Sequence, residues 1–256
     1  MTNIYDVPNS QLIEDNGVSP ERNSIEHAVT GNYEFSIRKI MQEAWAKSRG
    51  GNIQLGAGLL LGVIFLVAIA LCSKLIIGAL FPIYLKAFAP PHLGVQQLVV
   101  VGLISRCIQM FFGSPIIAGV FMLGVKRATG APVKILAIFD YAPKTLKLFG
   151  TSLLMALLVL LGFCLLILPG IYLLVAYSLA LPLVADKNLS PWQALEVSRK
   201  TISHHWFGFA GLYFLMAVVV LISAIPAGIG LLWTLPMSLI CLGVIYRNAF
   251  GYTATH

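Results

Sequence analysis

Long apolar runs alternate with short polar breaks from residue 53 almost to the end of the chain, and this alternation predicts membrane-spanning helices. About 20 helical residues cross a hydrocarbon core of about 30 Å. Six runs approach this length: 53–73, 107–125, 148–168, 171–185, 207–225 and 231–246. The pattern therefore predicts an all-α polytopic membrane protein with six transmembrane helices arranged as three hairpins.

Short amphipathic segments precede the outgoing spans. Residues 33–49 place apolar side chains at helical spacing and charged ones on the other face, so we expect a helix that lies in the membrane interface. A shorter amphipathic piece covers 133–139, and a capping box of Ser190 and Gln193 predicts a helix over 191–205. The three resulting units are either internal repeats or only alternating helices, which always look alike.

Residues 75–105 do not fit as part of two simple spans. Lys74 ends the first span, and the second span, counted back about 20 residues from Lys126, begins at Arg106. The intervening segment is apolar around a polar centre, Pro90-Pro91-His92. It predicts either an apolar hairpin beyond the far membrane surface or a re-entrant pair. An apolar surface of this size is normally covered, so the segment would pack back over the bundle as a lid, pair with the same segment of a second copy, or bind a protein partner. We expect one of the latter two.

Composition agrees with a lipid environment, since only 11% of residues are charged whereas a soluble domain carries about 25%. Residues 1–32 are acidic and polar and predict a disordered tail, which leaves 33–251 as one six-helix transmembrane domain. The net charge of +7 comes from basic residues in the breaks between spans, which is an orientation signal and not a nucleic-acid surface. Every Lys and Arg except Lys74, Lys86 and Arg106 falls on the side of the N terminus, so both termini are predicted to be cytoplasmic.

The run LPGIYLLVAYSLALPLVADKNLSPWQALEVSRK at 168–200, together with the six-span layout, resembles a known family. It is similar to the membrane domain that precedes the catalytic barrel in some bacterial glycerophosphoryl diester phosphodiesterases, and to related stand-alone inner-membrane proteins. The resemblance is firm over 162–206 and loose elsewhere, and no barrel follows in this chain. It implies a helical fold in a bacterial inner membrane and carries over no catalytic or binding residue.

The sequence shows no combination of residues typical of a catalytic site, a metal site or a cation-coupled transporter. Beyond residue 35 the acidic residues are predicted at or outside the inner interface, which argues against a cation-coupled transporter. His204 and His205 are adjacent, so they cannot share a metal ion as an i, i+4 pair can. We therefore expect no enzyme activity, no cofactor and no metal.

The candidate contacts are basic residues and glycines. Lys74 and Arg106 are interpreted either as cations that mark the far interface or as contacts for an anion or a lipid headgroup. The same choice, between topology signals and contacts to anionic lipid, applies to Lys144, Lys147, Arg199 and Lys200. Gly58 and Gly62 form a GxxxG pattern, which favours helix packing within the subunit, with dimerisation as the alternative.

These observations predict a non-enzymatic inner-membrane protein with a structural or accessory role. It would bind membrane partners, anionic lipids or both, and assemble as a homo-oligomer or with a protein partner through 75–105. The alternative is a passive channel or transporter for a small or amphipathic anion, using Lys74 and Arg106. An intramembrane enzyme ranks last.

Overall fold

The computed structural model describes residues 25–48, 53–88, 94–225 and 230–252, except for the side chains of 80–98. These residues form helices and turns, with no strand among them, and six segments are long and apolar enough to cross a membrane. The predicted all-α polytopic architecture is confirmed.

The helices are α1 (Ile25–Val29), α2 (Ile37–Ser48), α3 (Ile53–Phe88), α4 (Gly94–Ala128), α5 (Thr145–Leu165), α6 (Ile167–Ala176), α7 (Ala180–Lys187), α8 (Pro191–Ser203), α9 (Trp206–Ala224) and α10 (Leu231–Phe250), with 3₁₀ turns at Ile135–Phe139 and Ala142–Lys144 before α5.

The three returning spans form the inside of the bundle and the three outgoing spans cover it. Over the apolar stretch of each span, 17% of residues are buried in α3, in α5 with its 3₁₀ turns, and in α9. The corresponding shares are 56% in α4, 50% in α6 with α7, and 39% in α10. The outgoing helices therefore present most of their surface to lipid.

Helices α4 and α10 meet backbone to backbone. A Cβ atom added to Gly124 would lie 2.3 Å from the carbonyl oxygen of Leu239, and one added to Gly243 would lie 2.3 Å from the carbonyl oxygen of Gly124. No side chain larger than hydrogen fits at either position. Close approach of this kind lets membrane helices associate through dispersion contacts.

The folded part of the chain begins earlier than the sequence predicts. Residues 25–32 fall within the segment predicted to be disordered, yet α1 packs against α8 and α10, and Ala28 is fully buried. Residues 1–24 lie outside the described part. Helix α2 begins at Ile37, and the preceding residues 33–35 are not helical. Tyr33 bonds α8 and Phe35 stacks on α9.

The second hairpin turns at Leu166, which comes before Pro169-Gly170, the two residues between the predicted spans 148–168 and 171–185. The chain is extended at Leu166, and Pro169 lies in the first turn of α6, where a missing N–H breaks no helical hydrogen bond. Gly170 serves instead as a contact, since a Cβ there would lie 2.4 Å from Cγ of Phe163. The predicted fourth span is also not one helix: it is interrupted between Ala176 and Ala180.

A side chain of α8 forms hydrogen bonds with the backbone groups at this interruption. The buried Ser198 hydroxyl donates to the carbonyl of Ala176 at 2.7 Å and accepts from the backbone N–H of Leu179 at 3.2 Å. The predicted capping box that starts α8 is confirmed: the N–H of Ser190 donates to Oε1 of Gln193 at 3.2 Å. Helix α8 therefore packs along the second hairpin, with Ser198 at the break.

The first hairpin is much longer than the other two. Helices α3 and α4 have 36 and 35 residues, so each is about 54 Å long at 1.5 Å per residue. Both helices continue without interruption past Lys74 and Arg106, which favours a projecting hairpin over a re-entrant pair. The polar centre at Pro90-Pro91-His92 lies outside the described residues.

Candidate functional site

A hydrogen-bonded group of polar side chains joins α3 to α4, and we call Ser73, Ser105, Arg106 and Gln109 the polar band. The Gln109 amide donates to the hydroxyl of Ser73 at 3.2 Å and to that of Ser105 at 3.1 Å. The two hydroxyls lie 3.4 Å apart, and Ser73 is almost fully buried. The guanidinium of Arg106 donates to Oε1 of Gln109 at 3.4 Å. Three neutral polar groups thus satisfy one another, and Arg106 extends outward from them.

Lys74 and Arg106 lie in a hairpin whose own sequence contains no acidic residue. Lys74 and Arg106 are both exposed, and no Asp or Glu occurs anywhere from residue 53 to residue 128. Within the described residues, Lys74 makes no hydrogen bond or ion pair, and the one hydrogen bond of Arg106 is to Gln109. The side chains along the same surface are apolar and exposed; they include Leu71, Leu75, Ile76, Leu103 and Ile104.

The opposite end of the bundle carries an ion-pair network that fixes α2 to the returning helices. The guanidinium of Arg247 binds both carboxylate oxygens of Glu43, at 2.6 and 2.9 Å, and donates to the carbonyl of Ala128 at 2.9 Å. Lys47 pairs with Glu43 at 2.9 Å, and Arg127 donates to the carbonyl of Lys47 at 3.0 Å. We call these residues the basic-end network. It closes α2 onto the ends of α4 and α10.

Burial and charge act in opposite directions on Glu43. Burial alone would raise the pKa of its carboxyl group, but the hydrogen bonds and charges of Arg247 and Lys47 outweigh burial and lower the pKa below its ordinary value. Glu43 is therefore ionised at neutral pH and acts as the centre of the basic-end network.

An aspartate and tyrosines meet beside this network. The hydroxyl of Tyr246, which is fully buried, donates to Asp186 at 2.8 Å, and Lys187 lies 3.4 Å from the same carboxylate. Tyr252 lies close enough that burial first, and then the charges of Asp186 and Asp140, raise the pKa of its hydroxyl. The carboxylate of Asp186 is only 11% exposed and is satisfied by its neighbours, so it serves to join α7 to α10.

The four basic residues predicted to contact anionic lipid lie in two separate groups. Lys144 donates to the carbonyl of Ala185 at 2.5 Å and Lys147 to Oδ1 of Asn188 at 3.0 Å, so both bind the end of α7. Arg199 and Lys200 both pair with Glu196, at 2.9 and 3.3 Å. Each of the four has a partner within the chain. The side chains of Lys147 and Lys200 are nevertheless exposed.

The GxxxG glycines lie against a helix of the same chain. A Cβ added to Gly58 would lie 2.6 Å from Cδ1 of Leu123, and one added to Gly62 would lie 2.6 Å from Cγ2 of Val120. Both contacts are with α4. The close approach that the pattern allows is thus used within the first hairpin.

A shallow apolar cleft of about 170 Å³ opens between α5 and α6; it is lined by Ser152, Met155, Ala156, Val159 and Leu174. No charged residue lines it. Among the described residues, no three His, Cys, Asp or Glu side chains come together as metal ligands would. The cleft therefore offers apolar contacts only.

Sequence reasoning missed the residues that hold the bundle together. Ser105 and Gln109 stand four residues apart in an apolar run, and this spacing was a usable signal for the polar band. Ser198, Asp186 and Tyr246 gave none, because their partners are distant in the sequence. Comparison with family models, curated proteins and solved structures gives no match to this chain, so the resemblance to the phosphodiesterase membrane domain stays a prediction.

Proposed function

We propose that this chain is a non-enzymatic accessory protein of the bacterial inner membrane, which assembles with a second copy or another membrane protein through the α3–α4 hairpin and binds anionic lipid. The observation that carries the proposal is the length of this hairpin. Helices α9 and α10, with 19 and 20 residues, match a hydrocarbon core of about 30 Å. Helices α3 and α4, with 36 and 35 residues, are much longer than this thickness.

Tilting cannot absorb the difference. Membrane helices tilt by up to about 40°, and at that angle a helix of 54 Å still extends about 41 Å along the membrane normal. The surplus is apolar on its outside: Leu75 is 71% exposed, and Val99, Val100 and Leu103 are each more than half exposed. Apolar side chains held outside the hydrocarbon core are stabilised when another protein surface covers them.

The distribution of charge supports the orientation in this proposal. Helix α2, the ends of the returning helices and the start of α5 carry Lys47, Lys126, Arg127, Lys144 and Arg247. Basic residues at span ends stay in the cytoplasm, so both termini would be cytoplasmic and the tip of the α3–α4 hairpin would lie outside. Lys147 and Lys200, which are exposed at this end, would contact anionic headgroups.

Shortening the hairpin tests the proposal. Replacing residues 81–97 with a short Gly-Ser linker should leave the monomer folded but abolish the oligomer or complex captured by crosslinking in membranes. A control variant replaces the exposed tip of the second hairpin, Leu165 to Leu168, with serines and should assemble like the parent chain. Full assembly of the shortened variant would contradict the proposal.

Anion passage is the second candidate, and it is favoured by Lys74 and Arg106, which are exposed and form no ion pair within the described residues. The purified chain in vesicles would then carry chloride or phosphate across the bilayer. This flux should disappear in the double variant Lys74→Gln/Arg106→Gln. Vesicles that stay impermeable with the parent chain would remove this candidate.

A further inference from the structure

The first hairpin holds two cations at one level, on one side. Ser73 and Ser105 face each other, with their hydroxyls 3.4 Å apart. In an antiparallel helix pair, the residue that follows each facing residue is rotated by about 100° toward the same side of the pair. Lys74 and Arg106 are these residues. Their positive charges therefore share one face of the hairpin, about one residue rise above and below the serines.

The polar band leaves Arg106 with donors to spare. A guanidinium carries five N–H donors in a planar fork, and a single one of them is used, at 3.4 Å on Gln109, within the described residues. Gln109 is held in turn by both serines. The side of the fork that faces away from Gln109 is free for a bidentate acceptor such as a phosphate.

The position of Lys74 and Arg106 along the hairpin, measured from the start of α3, indicates which kind of anion they bind. Twenty residues separate Ile53 from Ser73, which corresponds to about 30 Å of helix and equals the thickness of the hydrocarbon core. The phosphates of the second leaflet lie at this level. Exposed apolar side chains flank the cations on both helices, including Leu71, Leu75 and Leu103. A phospholipid supplies both the phosphate and the acyl chains that such a surface contacts.

We propose that Lys74 and Arg106, with Arg106 positioned by Gln109, bind the phosphate of an anionic phospholipid on the outer face of the α3–α4 hairpin. The site lies at the opposite end of the hairpin from Lys126 and Arg127. It rests on the proposed function in that it gives the lipid-binding part of that function a location and a headgroup chemistry. It does not depend on which partner covers the tip.

Quenching by brominated lipids tests the site directly, because Cys107 is exposed next to Arg106. The variant Cys72→Ser/Cys164→Ser/Cys241→Ala, labelled with bimane at Cys107, is placed in vesicles with brominated phosphatidylglycerol or brominated phosphatidylcholine. Two cations near an anionic headgroup correspond to a preference of about 30-fold for phosphatidylglycerol. The double variant Lys74→Gln/Arg106→Gln should bring the preference close to one. Lys86→Gln, which removes a different cation of α3, should leave it unchanged.

A second probe position controls for lipid bound elsewhere. With Cys164 retained on α5 and Cys107→Ser, the same lipids should show no preference. Equal quenching at Cys107 by both lipids in the parent sequence would overturn the proposal. Loss of the preference on adding inorganic phosphate at constant ionic strength would show a site for a free anion and would also overturn it.

Crosslinking of the same samples separates this inference from the proposed function. A lost lipid preference with intact assembly contradicts the phosphate site alone. An intact preference with no assembly in any sample contradicts the accessory role and leaves the phosphate site standing.

Discussion

The inner and outer helices of this bundle differ in a way that reverses the pattern of soluble proteins. The outer spans, α3, α5 and α9, are each more apolar than any of the inner spans, α4, α6 with α7, and α10. The inner spans also contain Pro115, Pro182 and Pro236, whereas the hydrocarbon-length part of each outer helix has no proline. The part of the protein that is buried is thus the less hydrophobic part.

This difference shows which forces hold the bundle. Lipid tails are as apolar as leucine side chains, so removing apolar surface from lipid contributes little to helix association. Contacts between backbones at glycines, and hydrogen bonds between helices, must contribute instead. The inner helices supply both: Gly124 lies against Gly243, and Tyr246 bonds Asp186. The break between α6 and α7 is bonded by Ser198 of the neighbouring α8. The outer helices mainly provide an apolar surface that contacts lipid.

The largest expected effect comes from filling the α4–α10 contact. Gly124→Val places carbon atoms against the backbone of Leu239, where the nearest oxygen is 2.3 Å from a Cβ, so the two helices must separate. We expect a loss of about 3 kcal/mol of stability, the upper end of the usual range for overpacked cores. Gly56→Val is the control on outer helix α3, because no atom lies within 4 Å of its Cβ position. Thermal unfolding in detergent measures both, and a similar decrease for the two variants would abolish the distinction between inner and outer helices.

A smaller effect is expected from the hydroxyl that bridges the α6–α7 break. Ser198→Ala leaves the N–H of Leu179 and the carbonyl of Ala176 without this partner in a buried position, which costs about 2 kcal/mol. The control, Ser223→Ala on outer helix α9, removes only a local bond to the carbonyl of Val219, which keeps its helical partner. Its stability should change by less than about 0.5 kcal/mol. Equal unfolding temperatures for the two variants would contradict the role of Ser198.

The ion pair between α2 and α10 should give a smaller, pH-dependent effect. Glu43→Gln should cost about 1 kcal/mol at neutral pH, because the pair is partly exposed. Since Arg247 and Lys47 lower the pKa of Glu43 in the folded state, its stabilisation is complete above the ordinary glutamate pKa of about 4.3 and is lost as the pH falls through the folded-state value.

The measurement is the unfolding temperature between neutral and acidic pH. The gap between the parent chain and Glu43→Gln should close as the pH falls. Glu34→Gln removes the exposed pair with Lys39 and should follow the parent chain throughout. A gap that stays constant with pH would assign the effect of Glu43 to something other than its charge.

The smallest effect is expected at the GxxxG pattern. A Cβ on Gly58 meets only the end of the Leu123 side chain, which can rotate away, so Gly58→Ala should change stability by less than about 0.5 kcal/mol. It should leave crosslinked assembly unchanged, because the glycine faces α4 of its own chain. Loss of the oligomer in Gly58→Ala would place an interface on this face of α3.

Much of the fold could be predicted because it depends on local signals. Span number, the start of α8 at Ser190 and the buried face of α2 at Ile40 and Ala44 all follow from periodicity or capping chemistry. Trp45 is an exception: it is one of the apolar residues at helical spacing in 33–49, but it is 52% exposed, as a Trp at a membrane interface would be.

Features that depend on partners distant in the sequence could not be predicted. The turn at Leu166 is one case, since Pro169-Gly170 is a turn signal that a helix tolerates in its first turn. The folded structure of residues 25–32, which were predicted to be disordered, is another case. It depends on distant contacts such as the bond between His204 and the carbonyl of Val29, at 2.8 Å, and the bond from Tyr33 to the carbonyl of Thr201. Of the candidate site, the cations Lys74 and Arg106 could be found from sequence, but the serines and Gln109 that hold Arg106 required the pairing of α3 with α4.

The contact made by Ser198 also constrains the order in which the protein matures during synthesis. Residues 176 and 179 leave the ribosome about 20 residues before the serine that satisfies their backbone groups. Unpaired backbone groups in hydrocarbon raise the free energy of the chain. The second hairpin therefore cannot reach its final structure until α8 has been synthesised. A chain stopped at residue 189 should therefore show faster hydrogen exchange at Leu179 than the full-length protein does.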